Sequence, residues 1–256
     1  MNFINKNKSP NFNSRKKGTS IKYIIIHYTA IINYRNAIDH LVDKKNKVSA
    51  HFLINKVGEI YNLVDIDKRA WHAGISYWKG SNDINSESIG IELDNSGHYR
   101  DFEEYSSKQI ISLIKLLRYI CKKYKINKSN ILGHSDISPY RKNDPGEKFP
   151  WKYLNKSKFG FYPKKHNINN LKKIDNYLEI KLKTKKPNLK CLFILKKIGY
   201  DTKLAEKNSY NFKKLIKSYQ RHYRQNMVNG RLDSETYKFL LIHFNEFLTY
   251  DIFSNN

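Results

Sequence analysis

Apolar positions in the first half of the chain alternate between short continuous runs and helix-spaced sets. Residues 21–29 form a nearly uninterrupted apolar run rich in Ile and Tyr, which is typical of a strand buried on both faces. Residues 34–44 place their apolar side chains on one helical face, and residues 50–64 suggest two strands around the turn 56–59. This alternation predicts an α/β fold with a mixed central β-sheet flanked by helices.

Two further patterns extend this domain. In the segment 88–93, Glu92 falls on one side of a strand and the apolar residues fall on the other. The strand therefore presents the Glu92 carboxylate from a rigid element. Ser106 and Gln109 form a capping-box pattern at the start of a long helix that runs to Tyr124.

The second half of the chain changes character after Trp151, where Lys- and Asn-rich sequence replaces the apolar pattern. We assign residues 1–157 to the α/β domain and residues 158–187 to a linker with room for a short helix around residues 171–180. Residues 188–256 contain three helix-like segments with stop and cap signals. They predict a small all-α three-helix domain.

The chain is strongly basic, with 48 Lys and Arg residues against 23 Asp and Glu and a formal net charge of +25. Such a charge attracts polyanions at low salt but says little about fold. The basic residues are mostly Lys, spread over the whole length, without a basic recognition helix, zinc finger or Gly-rich aromatic motif. We therefore favour a compositional bias and expect no specific nucleic-acid partner. An anionic bacterial wall polymer is a suitable partner.

The cellular compartment is inferred from the targeting signals that the sequence lacks. No stretch reaches the roughly 18 apolar residues that a bilayer span needs, and the polar N-terminus has no apolar signal centre. We expect no membrane span and a cytoplasmic location, with export by a non-standard route as the alternative. Cys121 and Cys191 fall inside apolar helical patterns. A disulfide between them stays open, but buried thiols fit a reducing compartment better.

Three distant segments each supply a residue that can bind zinc. His27 ends the first strand, His134 follows a glycine in a turn, and Asp144 precedes Pro-Gly in a loop. Taken singly, each is more often a packed core histidine, a turn histidine or a turn aspartate. Together they match an open catalytic zinc site, in which three protein ligands leave a fourth position for water.

Two charged residues would complete a hydrolytic site around this metal. Lys142 lies two positions before Asp144, on the same face of an extended segment, and would stabilise negative charge that develops beside zinc. A solvated loop lysine is an equally weighted alternative. Glu92 would accept a proton from the attacking water, and the competing interpretations are an exposed strand glutamate or the use of Asp94 instead.

With these residues in order, the chain resembles the zinc-dependent N-acetylmuramoyl-L-alanine amidases, a bacterial family related to peptidoglycan-recognition proteins. The motifs are IIIHYTA, VSAHFLI, AWHAGISYWKG, SIGIEL, ILGHSDI and RKNDPG, and they cover roughly residues 9–154. The resemblance implies one zinc ion per chain held by His27, His134 and Asp144. It also implies that Glu92 is the general base and Lys142 the oxyanion stabiliser.

The same resemblance suggests which residues line the substrate groove, although the two tryptophans could instead pack in the core. The expected substrate-binding residues are His51, Trp71, His72, Gly74 and Trp78. The C-terminal segments LKKIGYD, KSYQRHYR and NGRLDSETYKFL resemble a three-helix peptidoglycan-binding module. Such a module would either bind glycan or only pack on the amidase domain.

The expected function is zinc-dependent hydrolysis of the amide bond between N-acetylmuramic acid, or its anhydro form, and L-alanine of the stem peptide. We expect a monomer that acts on peptidoglycan or on muropeptides recycled in the cytoplasm. The first alternative is a peptidoglycan-recognition protein that binds without cutting. The second, less favoured, is a basic nucleic-acid-associated protein.

Overall fold

A computed structural model describes residues 2–163 and 168–254 of the chain. The strands of this part are β1 (Phe12–Ser14), β2 (Tyr23–Tyr28), β3 (Phe52–Ile54), β4 (Ile60–Asn62), β5 (Lys68–Ala70), β6 (Ser88–Leu93) and β7 (Ile131–Gly133). The α-helices are α1 (Tyr34–Val42), α2 (Ile84–Glu87), α3 (Ser107–Tyr124), α4 (His134–Ile137), α5 (Trp151–Lys156), α6 (Ile168–Leu182), α7 (Pro187–Ile198), α8 (Ser209–Tyr223) and α9 (Ser234–Ser254).

Strand β2 is flanked on both sides in the main sheet, whose strand order is β4-β3-β6-β2-β7. It pairs in parallel with β6 and with β7, and the register sets His27 beside Glu92 and Ile26 beside Gly133. Every residue of β2 is buried, which confirms the predicted strand. Because parallel strands end at the same edge of a sheet, the residues at these three strand ends meet there.

The remaining strands make the sheet mixed, as the sequence predicts. Strands β3 and β4 form the expected antiparallel hairpin, while β3 runs parallel to β6. A second, small sheet pairs β1 with β5 in antiparallel fashion. The sequence did not reveal this pair, because strands of three residues such as FNS and KRA are too short and too polar to show alternation.

Helix α3 starts as predicted, but only half of the expected capping box forms. The Ser106 hydroxyl accepts a hydrogen bond from the Gln109 backbone N–H at 3.1 Å. The Gln109 side chain does not return to the cap; it is buried and donates to the backbone carbonyls of Ile54 and Asp94. Gln109 thus fastens the helix to the ends of β3 and β6.

The two faces of the main sheet are covered by different parts of the chain. Ile24 and Ile26 of β2 pack in an apolar cluster with α3 residues such as Leu117. Ile25 of β2 and Leu132 of β7 belong to another cluster, which also contains buried side chains of α6 to α9. The C-terminal helices and the sheet therefore share one core.

The C-terminal part differs from the predicted three-helix domain after a linker. Residues 158–187, expected to be a linker with room for a short helix around residues 171–180, contain a longer helix, α6, of 15 residues. Its Leu171, Ile174 and Leu178 are buried in the core shared with the sheet. Lys and Asn surround these apolar positions in sequence, so the helical spacing is present but sparse. Four helices, α6 to α9, make up the C-terminal part within the described residues.

Asp136 is the central polar contact between the α/β part and the C-terminal helices. Its fully buried carboxylate accepts hydrogen bonds from the Tyr200 hydroxyl at 2.5 Å, from His222 Nδ1 at 2.7 Å and from the Gly133 N–H at 2.7 Å. The His222 ring also stacks on Trp151, with 3.6 Å between ring centroids. A buried carboxylate is tolerated only when hydrogen-bond donors surround it. Two of these three donors belong to the C-terminal part, since His222 lies in α8 and Tyr200 lies between α7 and α8.

The helices of this fold bear on two expectations, one about a membrane span and one about the two cysteines. Among the described residues, no helix combines the length and the apolar character that crossing a membrane requires. Cys121 in α3 and Cys191 in α7 are free and buried. The favoured interpretation as buried thiols is confirmed.

Replacing Tyr200 by Phe should destabilise the protein, because Asp136 would keep its burial and lose one donor. Leaving a buried acceptor without its partner costs about 1–3 kcal/mol in free energy of unfolding. Urea unfolding followed by fluorescence measures this change. Tyr210→Phe, at a site that is 67% exposed, is the matched control and should leave the transition in place. Equal transitions for the two variants would contradict the role given to Asp136.

Candidate metal and catalytic site

Three side chains meet at the carboxyl edge of the main sheet. His27 Nδ1, His134 Nδ1 and Asp144 Oδ2 form a triangle in which each pair of atoms is 3.0 Å apart. All three residues are buried. Tetrahedral zinc with bonds of about 2.0–2.1 Å would place its ligand atoms about 3.3 Å apart, so this triangle has nearly the right size. These residues form the metal-capable group in the described part of the chain.

Neighbouring backbone holds the three groups in place. His27 lies in β2, and His134 follows β7 directly as the first residue of α4. The Ser135 N–H donates to the Asp144 carbonyl at 2.8 Å, which ties the two ligand segments together. Gly133 is required here because a Cβ would come within 2.8 Å of the Pro145 ring. The Gly before His134 therefore allows the Asp144 loop to approach.

The His134 tautomer suits a metal ligand. Its Nε2 lies 3.0 Å from the backbone carbonyl oxygen of Ala73, which can only accept a hydrogen bond. The proton of neutral His134 therefore sits on Nε2, and Nδ1 presents its lone pair to the triangle. A histidine that donates its second N–H to a carbonyl is the usual arrangement around protein-bound metals.

The protonation states give the triangle the charge that a divalent cation needs. Burial, followed by the proximity of His134, lowers the pKa of His27 to about 4. Burial would raise the pKa of Asp144, but the hydrogen bonds and charges of the two histidines outweigh it and hold that pKa well below its usual value. Near neutral pH His27 is therefore a neutral imidazole and Asp144 a carboxylate, a combination that fits Zn²⁺.

Glu92 is an unusual carboxyl group beside this triangle. Burial, and secondly the charge of Asp144, raises its pKa well above the usual value, while Lys142 acts in the opposite direction. Its Oε2 is buried and has no hydrogen-bond partner among the described residues. A carboxylate left unpaired at such a position is costly, and perturbed groups of this kind cluster at functional sites.

One cleft contains all of these groups. Its volume is about 440 Å³, and its lining includes His27, Glu92, His134, Lys142 and Asp144. Side chains from β2, from β6 and from the segment after β7 thus converge on the same space. The structure brings together every residue that the sequence analysis assigned to metal binding or catalysis.

The expected substrate-binding residues divide into two sets. Trp71 and His72 line the cleft, whereas His51, Gly74 and Trp78 do not. His51 is fully buried, and Trp78 packs against Tyr200 with 4.9 Å between ring centroids. These placements do not support substrate contact by His51 or Trp78. Trp78 packs in the apolar core, and His51 accepts a hydrogen bond from the Gly90 N–H.

Gly74 has a conformational role instead. Its φ is +56°, and a Cβ there would contact the Arg141 guanidinium at 3.0 Å. Arg141 itself lines the cleft and donates from one terminal nitrogen to the carbonyls of Ala73 and Ile75, each at 3.0 Å. Arg141 could not be recognised from the sequence, because one more basic residue in a chain with 48 Lys and Arg does not stand out. Its adjacency to Lys142 was the available signal.

Comparison with known protein families agrees with this site. A family model described as N-acetylmuramoyl-L-alanine amidase matches residues 17–147. The match includes His27, Glu92, His134, Lys142 and Asp144.

Individual relatives extend the similarity to most of the chain. The N-acetylmuramoyl-L-alanine amidase AmiD of Escherichia coli is 35% identical over 229 residues, which cover 84% of this chain and 79% of AmiD. The 1,6-anhydro-N-acetylmuramyl-L-alanine amidase AmpD of Haemophilus influenzae is 35% identical over 170 residues, covering 59% of this chain and 90% of AmpD.

Solved structures include two relatives in complex with muropeptides. E. coli AmiD, with anhydro-N-acetylmuramic acid-L-Ala-D-gamma-Glu-L-Lys, has a TM-score of 0.74 at 31% identity, covering 91% of this chain and 92% of AmiD. AmpDh3 of Pseudomonas aeruginosa, with anhydromuramic pentapeptide, has a TM-score of 0.73 at 28% identity, covering 96% of this chain and 99% of AmpDh3. The coverage shows that the C-terminal helices belong to the shared fold.

His134→Ala should abolish stoichiometric zinc binding, because it removes one corner of a three-ligand triangle. The measurement is zinc content by atomic absorption after dialysis against a zinc buffer. His40→Ala is the control, since His40 is an exposed histidine at the rim of the same cleft and outside the triangle. A full zinc complement in the His134 variant would refute its assignment as a ligand.

Proposed function

This chain belongs to the N-acetylmuramoyl-L-alanine amidase family and is an enzyme of that class, and we propose that it cleaves the muramoyl–L-alanine amide of muropeptides with one bound zinc ion. The observation that carries the proposal is the convergence of the His27–His134–Asp144 triangle and the unpaired Glu92 on one cleft. A complete set of catalytic groups argues against a relative that only recognises peptidoglycan.

The metal triangle would hold the zinc ion through His27, His134 and Asp144. When bound, zinc polarises the amide carbonyl and makes water easier to deprotonate. The three ligands would leave zinc a further position for water. His134 is oriented for this purpose by the Ala73 carbonyl, and Asp144 by the backbone link to Ser135.

Glu92 is proposed as the general base and then the general acid. It takes a proton from the attacking water and returns it to the departing amine of L-alanine, which leaves as a free stem peptide. A carboxyl group with a buried oxygen and a raised pKa suits this exchange, because proton transfer is most efficient when the pKa approaches the working pH. The unpaired Oε2 leaves an acceptor available for the water proton.

Lys142 is proposed to stabilise the negative charge that develops on the amide oxygen. It lines the cleft near Glu92 and His27, close enough to influence the pKa of both. Its side chain has no hydrogen bond or ion pair with the described residues, so the ammonium is available to a substrate. Preorganised positive charge at a developing oxyanion is among the largest single contributions to catalysis.

The substrates are proposed to be soluble muropeptides, including the 1,6-anhydro form, in the recycling of wall fragments inside the cell. Support comes from the relatives, of which AmiD and AmpDh3 are solved with anhydromuramyl peptides. The net charge of +25 would attract such anionic fragments. We propose that one chain suffices for activity, because all the catalytic groups come from a single chain.

A direct comparison of substrates tests this choice. The enzyme is incubated separately with intact sacculi and with purified anhydro-muropeptides, and the released products are identified by mass spectrometry. We expect free stem peptide from the soluble fragments at the higher rate, and none in either reaction after zinc removal by a chelator. Binding without cleavage would favour a recognition protein instead.

Glu92→Gln should retain zinc and lose most of its turnover, since the amide cannot accept the water proton. We expect kcat to fall by about 10²–10⁴-fold. Zinc content by atomic absorption and kcat on a muropeptide are measured on the same sample. Glu104→Gln, where the side chain is 76% exposed, is the matched control with unchanged kcat. Normal turnover in the Glu92 variant would eliminate it as the base.

Lys142→Met should lower kcat by about 10²–10³-fold with little change in KM, because its charge acts mainly on the transition state. Lys142→Arg keeps the charge and should recover part of the loss. Steady-state kinetics on a soluble muropeptide measure both effects. If Lys142→Met changes KM alone, Lys142 contributes to ground-state binding and the oxyanion role is wrong.

A further inference from the structure

His72 lies directly behind the metal ligand His27. His27 Nε2 is 3.1 Å from His72 Nδ1, and His72 Nε2 is 3.2 Å from the Ser88 hydroxyl oxygen. The Ser88 hydroxyl is in turn 2.6 Å from the backbone carbonyl oxygen of Ile84. All three side chains are buried. The chain of contacts therefore starts at a carbonyl group and ends at the metal triangle.

The direction of every hydrogen bond in this chain follows from its first member. A carbonyl oxygen only accepts, so Ser88 donates its single hydroxyl proton to Ile84. The Ser88 oxygen can then only accept, which places the His72 proton on Nε2. Neutral His72 is left with an acceptor at Nδ1, and His27 must donate from Nε2. The lone pair of His27 therefore lies on Nδ1, the atom that faces His134 and Asp144.

We propose that His72 is a positioning residue that fixes the tautomer and ring orientation of the zinc ligand His27. The proposal deepens the zinc site of the proposed function and rests on it. In the other tautomer, a proton on Nδ1 would point at the metal position and block coordination. The sequence analysis placed His72 among substrate-binding residues, whereas its contacts assign it to the ligand side of the site.

Adjacent residues thus serve both histidine ligands. The His72 side chain accepts from His27, and the Ala73 carbonyl accepts from His134. Both residues are anchored by one side chain, since Asn85 Oδ1 accepts from the backbone N–H groups of His72 and Ala73 at 3.0 and 2.8 Å. The motif AWHAG therefore acts as a support that sets the proton positions of two ligands.

The strand opposite His72 is shaped to admit its ring. A Cβ on Gly90 would overlap the His72 imidazole, coming within 2.7 Å of Nδ1. A glycine inside a strand commonly marks such a close approach. The Gly90 N–H donates to His51 Nδ1 at 3.0 Å, and the His51 ring packs edge-on against His72. Gly90 and His51 hold the His72 ring where its Nδ1 can accept the hydrogen bond from His27 Nε2.

Two substitutions at position 72 separate this role from ordinary packing. His72→Asn places an amide oxygen near the position of Nδ1 and keeps an acceptor for His27. His72→Leu is apolar, fills a similar space and has no acceptor. Zinc dissociation constants are measured by competition with a chromophoric chelator. We expect Leu to weaken zinc binding by about 10–100-fold and Asn to stay within a few-fold of the unaltered protein.

Stability of the zinc-free proteins provides the second measurement. Urea unfolding in the presence of a chelator should rank Leu as more stable than Asn, because the site is buried and apolar packing favours Leu. The expected order for zinc affinity is the reverse. If affinity instead follows stability, with Asn binding zinc no better than Leu, the positioning role is overturned. Zinc binding by Leu as tight as in the unaltered protein would overturn it equally.

A gentler variant covers the case in which a position 72 substitution does not fold. Ser88→Ala removes the acceptor of His72 Nε2 and should weaken zinc binding several-fold without changing the ligands. Unchanged affinity in Ser88→Ala would count against the directed chain. Zinc binding by the unaltered protein distinguishes a failure of the proposed function from a failure of the His72 role. If it binds no zinc, the proposed function fails; if it binds zinc and the variants bind equally, only the role of His72 fails.

Discussion

The site depends on parallel pairing of strand β2 with a neighbour on each side. This pairing sets His27 directly beside Glu92 and brings the end of β7, with His134, to the same edge. A shift of one residue in either register would turn the side chains of that neighbour to the other face. Burial of β2 on both faces makes such a shift very unfavourable, so the packing of the core also fixes the positions of His27 and Glu92.

The sequence predicted those parts of the fold in which one physical signal dominates. Strand β2 is an apolar run, and the amphipathic spacing of α3 is regular, so both appear in the structure as expected. Helix α6 was expected only as a short helix around residues 171–180, because its few apolar residues are separated by Lys and Asn. Strands β1 and β5 show no alternation of apolar and polar residues, and they form through antiparallel pairing with each other.

The candidate site was similarly predictable where chemistry is specific to residue type. Histidine is rare in the chain, with nine in 256 residues, and the structure brings His27 and His134 together with Asp144 as expected. Other residues in the same motifs pack in the core, and the sequence alone did not distinguish them from residues that contact the site. His72 contacts His27 of the candidate metal site, whereas Trp78 packs on Tyr200. The difference lies in tertiary contacts, which depend on partners far along the chain.

Asp136 joins the C-terminal helices to the segment that carries His134. Asp136 lies two residues after His134, and its carboxylate draws hydrogen bonds from Tyr200 and His222. Moving the helices away would leave a negative charge without these donors, in an apolar surface close to His134. The C-terminal helices are therefore packed against the α/β part and are not a separate module connected to it only by a flexible linker. Exchanging them for another module would require replacement donors for that one carboxylate.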